Sequence, residues 1–199
     1  MLQRSRGGVS PQSKTIGVND KFGNTGIKLQ QGSTVIKYDS LPLDGRTEYR
    51  FFEGSAQRNF PLSNTGSDGN KLGVGYSMVV ERVYLSIVQL NASTGAVTNI
   101  AQLTLAITNP NILASELSFS IANSEVIKHI PVLSFLPEFN KLAENAVNTS
   151  FDFDTQVVIP PLLEYIATLR VAAPVTVANS YLRLTIEGSG AIIAPRTTF

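Results

Sequence analysis

The chain has 199 residues, of which 43% are hydrophobic and only 16% are charged, and its formal net charge is +1. It has no cysteine and one histidine, which excludes a disulfide framework, a thiolate metal site and cysteine-based catalysis. Globular proteins carry about 25% charged residues. We therefore expect an unusually neutral surface that repels further copies of the chain only weakly.

The N-terminal segment, residues 1–32, is rich in Gly, Ser, Gln, Asn and Lys and has few large apolar residues. It predicts an extended arm, not a folded domain. Its polar, basic start is followed by no long apolar run, so we expect neither a signal peptide nor a transmembrane helix.

The arm is basic. Residues 1–37 hold six basic residues and one acidic residue, a net charge of +5, whereas the remainder holds ten basic and fourteen acidic residues, a net charge of −4. Such an arm can contact neighbouring subunits, nucleic acid non-specifically, or a membrane. The alternative is a solvated N-terminus without a role. The candidate assembly residues are Arg4, Arg6, Lys14, Lys21, Lys28 and Lys37.

Residues 33–199 have the pattern of an all-β domain. Short strands joined by long turns are expected over 33–75, and apolar residues alternate with polar ones in the denser stretch 76–199. In residues 181–187, for example, Leu182, Leu184 and Ile186 share one face. Each such strand covers a core on one side only, as strands of antiparallel sheets do. The same alternation occurs at 83–87, 102–107 and 117–121.

Turn signals separate these strands. Gly, Asn, Asp and Pro cluster at 41–45, 64–70, 91–95 and 109–111, and prolines punctuate the C-terminal third at Pro160, Pro161 and Pro174. One short helix is expected over 137–146, which begins with a proline and spaces its apolar residues at helical intervals. Eight to ten short strands with such connections predict a single antiparallel jelly roll over 33–199.

Catalytic motifs are weak. A Ser–His–acid triad would need His129 as its base, but this residue lies in a strand-like run that ends at Pro131. The segment 73–79 lacks the last glycine of a nucleophile elbow and the third glycine of a dinucleotide-binding loop. We expect no enzymatic activity, no cofactor and no small-molecule substrate.

Two acidic residues could form a site. Asp152 and Asp154 would share one face of a strand, where they could bind a metal or hydrolyse a glycosidic bond. The alternative, which we favour, is that they protect an edge strand from mispairing. Asn64, Asp68 and Asn70 could ligate a cation, but their spacing is not that of an EF-hand loop.

An aromatic and basic segment could bind nucleic acid. Tyr49 and Phe51 flank Arg50 on one predicted strand face, and Arg58 and Phe60 follow. Such groups stack on nucleobases. The same alternation also fits an aromatic ridge packed in a core or an interface, which we favour.

The segments 47–52, 64–65 and 72–87, followed by 157–161, 169–171 and 181–188, resemble the opening and closing strands of jelly-roll capsid proteins of tailless bacteriophages. The resemblance covers roughly residues 47–190. It implies a virion structural protein that is made in the host cytoplasm and assembles with itself and with other virion proteins. Members of that family commonly carry two barrels per chain, whereas this length has room for one. A single-barrel capsid protein or a minor virion protein is therefore expected.

Two other functions remain open. A head-fibre or carbohydrate-binding β-sandwich would use the polar loop 63–75, because the same fold class also hosts lectins. A β-sandwich hydrolase would need Asp152 or Glu164 as a catalytic acid.

Overall fold

A computed structural model of the protein describes residues 32–53, 59–65, 70–103, 108–136 and 150–192. This part of the chain forms nine β strands, one single-turn α helix and one 3₁₀ turn at Val132–Phe135. The prediction of an all-β protein is confirmed. The elements are β1 Gly32–Asp44, β2 Glu48–Phe51, β3 Tyr76–Leu90, β4 Val97–Gln102, α1 Pro110–Leu113, β5 Glu116–Ile121, β6 Ser124–Pro131, β7 Ser150–Ile159, β8 Tyr165–Arg170 and β9 Thr176–Ile192.

The strands form two antiparallel sheets. In the first sheet, β1 pairs with β9 and β9 pairs with β3. On the side of β3 that faces away from β9, two strands pair with it: β7 pairs with Met78–Tyr84 and β4 pairs with Ser86–Leu90. The second sheet has the order β2, β8, β5, β6. All of these pairings are antiparallel, as the alternating sequence pattern predicts.

The pairs are nested along the chain. The first strand pairs with the ninth, the second with the eighth, the third with the seventh, and the fifth with the sixth. The first and third of these pairs belong to one sheet, and the second and fourth belong to the other. The chain therefore passes back and forth between the two sheets. β4 is an addition to the nested set and extends the first sheet only.

A single apolar core lies between the sheets. Leu182, Leu184 and Ile186 of β9 are fully buried, and so are Tyr49 and Phe51 of β2 in the other sheet. Alternate residues of both sheets thus supply one core, which is the arrangement of a β-sandwich. Burial of these side chains is the main favourable contribution to folding.

Strand β1 differs from the prediction. Short strands and a turn at 41–45 were expected, but β1 is 13 residues long and the chain turns only at Gly45, whose φ is 86°. Pro42 lies inside β1, opposite Tyr181. Pairing with β9 outweighs the local turn tendency of Pro42. An outer strand tolerates a proline, because the missing N–H donor is not needed on the side that has no partner strand.

The helix also differs. We expected a turn at 109–111, and the structure has the single-turn helix α1 there. The side chain of Asn109 accepts a hydrogen bond of 2.9 Å from the amide of Asn111, and Pro110 occupies the first turn. An asparagine cap and an early proline suit both a turn and a helix start. The helix predicted over 137–146 lies outside the described residues, and so does the arm predicted over 1–32, except that its last residue, Gly32, begins β1.

Candidate assembly site

Two distant segments of the sequence lack charge. Residues 83–115 and 171–182 contain no Lys, Arg, Asp, Glu or His. The structure brings them together, because Val88 lies opposite Tyr181 and Gln89 lies opposite Ser180. We call the described residues 86–103, 108–113 and 171–182 the charge-free end of the sandwich. The sequence analysis missed it, although the run of 33 uncharged residues was a visible signal.

A tight turn holds β4 against β3 at this end. The side chain of Asn91 accepts hydrogen bonds from the amides of Ser93, at 2.9 Å, and Thr94, at 3.1 Å. The amide of Asn91 donates to the carbonyl of Ala96 at 2.8 Å, and Gly95 adopts a φ of 67°. The hairpin turn predicted at 91–95 is therefore confirmed. Its asparagine and glycine supply the local hydrogen bonds and the left-handed residue that such a turn needs.

Strand β4 is an exposed outer strand. All of its residues are exposed except Ala101, which is half-buried, and Ile100 retains 55% of its accessible surface. Among the described strands, none pairs with the outer edge of β4. Its sequence, Val97–Gln102, contains no charged residue and no proline. It therefore lacks the charge and the proline by which outer strands often avoid pairing with other chains, although its ladder with β3 is irregular where Leu90 pairs with Val97.

The outer edge of β1, in contrast, is covered. The side chain of Asn64 accepts a hydrogen bond of 2.8 Å from the amide of Tyr38 and donates one of 2.9 Å to the carbonyl of Ile36. The amide of Asn64 donates to the carbonyl of Tyr38 at 3.2 Å. Asn64 thus occupies three backbone groups of that edge, the carbonyl of Ile36 and the amide and carbonyl of Tyr38.

The remaining outer strands carry charge. β2 is only four residues long and includes Glu48 and Arg50. β6 includes Glu125 and Lys128, and β7 includes Asp152. Charged and short outer strands resist pairing with a second chain. Within the described part of the chain, β4 is thus the outer strand without such protection.

A cavity of about 380 Å³ opens at the charge-free end, where β1, β3, α1 and β9 meet. Its apolar wall includes Leu43, Ile112 and Val175, and its neutral polar groups include Gln89 and Asn109. None of the described lining residues is ionisable. The described lining of the cavity therefore supplies no acid or base. It can hold an apolar group, and its side-chain amides can form hydrogen bonds to a ligand.

The acidic residues considered for catalysis form surface ion pairs. Asp152 accepts a hydrogen bond of 2.6 Å from Nε of Arg82, and Glu164 lies 3.2 Å from Nζ of Lys71. Arg82 also donates to the hydroxyl of Tyr84, which in turn bonds to Glu187. The hydrogen bond that Arg82 donates to the carboxylate of Asp152 raises the pKa of the Arg82 guanidinium above its usual range. This outer-face network links three strands and needs no catalytic role. The side chain of Asp154 lies outside the described residues.

His129 lies on the exposed strand β6. Its Nδ1 is 3.0 Å from Oε2 of Glu116 on the adjacent strand β5, and both side chains are more than half exposed. A solvent-exposed pair of this kind fits a surface contact between strands.

The structure does not support a cation site at Asn64, because both polar atoms of its side chain bind the backbone of β1. Asn70 is buried, and Asp68 lies outside the described residues. Among the described residues, no group of three or more His, Asp or Glu side chains is placed to hold a metal ion.

The aromatic and basic segment separates into two environments. Tyr49 and Phe51 are fully buried in the core, which confirms the packing interpretation. Arg50 points away from them and lies 3.1 Å from Glu53. Phe60 is exposed, and Arg58 lies outside the described residues.

The predicted arm residues are mostly not described. Lys37 lies in β1 opposite Ile186, inside the sandwich domain. Arg4, Arg6, Lys14, Lys21 and Lys28 lie outside the described residues, so the basic arm remains a prediction.

The described part of the chain contains no helix that is long and apolar enough to cross a membrane. Comparisons of the chain with protein-family models, with curated proteins and with solved structures found no match.

Proposed function

We propose that this chain is a jelly-roll structural protein that forms a virion shell by repeated contacts with copies of itself. The nested strand pairing carries the jelly-roll part of this proposal. A jelly roll is a long antiparallel hairpin rolled into two facing sheets, and the pairs first with ninth, second with eighth, third with seventh and fifth with sixth fit that description. β4 is then an insertion between the third and fifth strands.

The surface favours assembly over the other uses of this fold. Capsid and lectin domains both use jelly rolls, so the fold does not choose between them. The charge-free end and the unprotected strand β4 supply neutral surface for contacts between identical subunits. The basic arm, over 1–31, then reaches a neighbouring subunit, other virion proteins or nucleic acid inside the particle.

A glycan-binding module is the second candidate, and the cavity at the charge-free end favours it. Gln89, Asn109 and Ser180 place neutral hydrogen-bonding groups at this cavity. However, none of the described lining residues is aromatic, so a sugar ring has no flat face on which to stack. A glycan array probed with the multivalent protein tests this candidate, and Ser180→Leu is the variant that should abolish any signal.

The test of the proposed function is the solution mass of the full chain. We expect light scattering after size exclusion to give discrete oligomers, and electron microscopy to show closed particles. A protein that stays monomeric from low to moderate salt, and forms no particles at high concentration, would contradict the proposal.

Two variants separate the contribution of the arm's length from the contribution of its charge. Deletion of residues 1–31 makes the chain begin at Gly32, the first residue of β1. The domain should therefore fold and give an unchanged circular dichroism spectrum. It should no longer form particles of normal size. Replacement of Arg4, Arg6, Lys14, Lys21 and Lys28 by glutamine preserves the arm's length. If only the charge matters, this variant behaves like the deletion, and wild-type assembly depends on salt.

A further inference from the structure

We propose that the outer edge of β4 pairs in antiparallel fashion with the same edge of a second copy, across a two-fold axis. The first sheets of two subunits would then form one continuous sheet. The inference names the partner of the charge-free end and rests on the proposed function. The observation behind it is a contrast among the described outer strands: Asn64 covers the backbone of β1 at Ile36 and Tyr38, and β2, β6 and β7 carry charge. β4 carries no charge, and among the described strands it pairs only with β3.

A second copy suits this edge for a geometric reason. An antiparallel ladder joins strands that run in opposite directions, and a two-fold axis perpendicular to a strand generates such a pair from one sequence. Each amide of one copy then meets a carbonyl of the other. No different partner has to be matched, because the edge is complementary to itself.

The absence of charge removes the main obstacle to self-pairing. Like charges directly opposite each other destabilise a strand pair, and two identical strands that carry charge place like charges close together near the axis. β4 brings none, and neither does its hairpin turn at 91–96. Val97, Thr98 and Ile100 are moreover residue types that are enriched in strands.

Ile100 of β4 offers an exposed apolar side chain for contact with a second copy. Ile100 lies opposite Val88, and Val88 lies opposite Tyr181, so these residues form a row across the outer face of the first sheet. Val88 is fully buried even though it is not part of the core between the sheets, whereas Ile100 at the end of the row is 55% exposed. Pairing of two β4 strands brings the two rows together and covers Ile100.

The pairing alone forms a small interface. Six residues a side bury less than the roughly 1,200 Å² that stable complexes need in total. The isolated pair is therefore weak, and it becomes strong when the arm or other contacts hold many copies together. A concentration-dependent dimer of the domain that lacks the arm is the expected behaviour.

Single-cysteine variants test the geometry, since the chain contains no cysteine. We would change each of residues 97–101 to cysteine in turn in the full chain and oxidise the protein mildly. In a two-fold antiparallel pair, the offset along the strands between equivalent residues grows by about 6.8 Å for each position away from the axis, because each copy contributes about 3.4 Å. A disulfide needs Cα atoms within about 7 Å. One position, or two adjacent ones, should therefore give a covalent dimer on a non-reducing gel, and the others should not.

The matched control is Val126→Cys on β6, because Val126 is also on an outer strand and is 46% exposed. It should cross-link no more than the weakest β4 position. Equal cross-linking at all positions and at the control would reveal random collisions and overturn the pairing.

A charge on β4 tests the energetics. Ile100→Lys places two like charges near the axis. Val126→Lys places the same charge on β6, which already contains charged residues. Sedimentation equilibrium should give a dimer dissociation constant raised at least about tenfold for Ile100→Lys and unchanged for Val126→Lys. Circular dichroism checks that both variants are folded.

The outcomes separate this inference from the proposed function. If wild type forms particles but the cysteine scan is flat and Ile100→Lys assembles normally, the β4 pairing is wrong and the shell proposal stands. If a covalent dimer forms at one position but no particles are seen, the pairing stands and the shell proposal is wrong. If wild type neither pairs nor forms particles, both are wrong.

Discussion

The buried carboxylate of Asp39 accepts a hydrogen bond of 2.8 Å from the backbone amide of Phe52. Asp39 lies in β1 of the first sheet, and Phe52 directly follows β2 of the second, so the bond joins the two sheets. Phe52 has a φ of 63°, which is rare for a residue with a bulky side chain, and its ring is buried. The carboxylate also accepts from the amide of Ser40 at 3.0 Å. It therefore stabilises a strained turn in the core.

Replacement of this carboxylate should destabilise the protein. Asp39→Ala leaves a buried amide without its acceptor, and we expect the free energy of unfolding to fall by about 1–3 kcal/mol. Urea denaturation followed by circular dichroism measures the loss. Asp44→Ala is the control, because Asp44 makes an exposed pair with Arg46 that contributes at most about 1 kcal/mol. Equal losses in the two variants would show that the bond between the sheets is unimportant.

Two tyrosine hydroxyls should respond oppositely to removal. The hydroxyl of Tyr49 is buried and has no hydrogen-bond partner among the described residues. Tyr49→Phe removes an unsatisfied polar group, so stability should stay equal or rise by up to about 1 kcal/mol. The hydroxyl of Tyr84 bonds to Glu187 and Arg82, so Tyr84→Phe should lose about 1 kcal/mol. Thermal unfolding of both variants gives the comparison, and a loss at Tyr49 as large as that at Tyr84 would indicate a hidden partner.

Alkaline conditions should destabilise the protein. Burial, and secondly the negative charge of Asp39, raise the pKa of Tyr165 well above its usual range. Burial is also the largest cause of the raised pKa of Tyr49 and Tyr84. In the unfolded chain these phenols lose their protons near pH 10. Above that pH the unfolded state binds fewer protons than the folded state, so stability is complete below about pH 10 and falls as the pH rises.

The urea midpoint measured between pH 8 and pH 11.5 tests this dependence, and absorbance at 295 nm reports tyrosine ionisation. Tyr165→Phe removes one of the three groups and should make the alkaline loss shallower. The expectation would be wrong if the midpoint of wild type did not change with pH, or if Tyr165→Phe left the slope unchanged.

One glycine should be irreplaceable. Gly188 of β9 lies between Val35 and Val80, beside an irregularity in the β3 ladder. A Cβ atom there would overlap the carbonyl oxygen of Val79 and lie 2.8 Å from its carbonyl carbon. Because both are backbone atoms of a paired strand, Gly188→Ala should cost about 3 kcal/mol.

Gly73 is the matched control, since a Cβ there would meet no atom within 4 Å. Gly73→Ala should change the free energy of unfolding by less than about 0.5 kcal/mol. Urea denaturation of the two variants should therefore differ clearly, and similar midpoints would mean that β9 and β3 can separate at little cost.

The alternating strands were predictable because alternation is local. Leu182, Leu184 and Ile186 face the core as expected, and so do Leu117 and Phe119. The side-chain period of two follows from the geometry of a strand, whatever its partner is. The turn at 91–95 was predictable for the same reason, because its asparagine and glycine bond within five residues.

The length of β1 was not predictable in this way. Its proline and glycine indicate a turn at 41–45, but pairing with β9, more than 100 residues away, keeps residues 41–44 extended. The candidate assembly site has the same origin. Residues 83–115 are visibly uncharged, yet only pairing places them beside 171–182 and leaves β4 outermost.

The sequence by itself determined that this protein is all-β, that the alternating strands have one apolar face, and that little charge covers its surface. Those properties depend on residues a few positions apart. The tertiary structure alone decided which strands became neighbours, which outer edges are covered, and where uncharged segments meet. Backbone hydrogen bonds between strands are the same for nearly every residue type, so partners are chosen by the packing of the whole core.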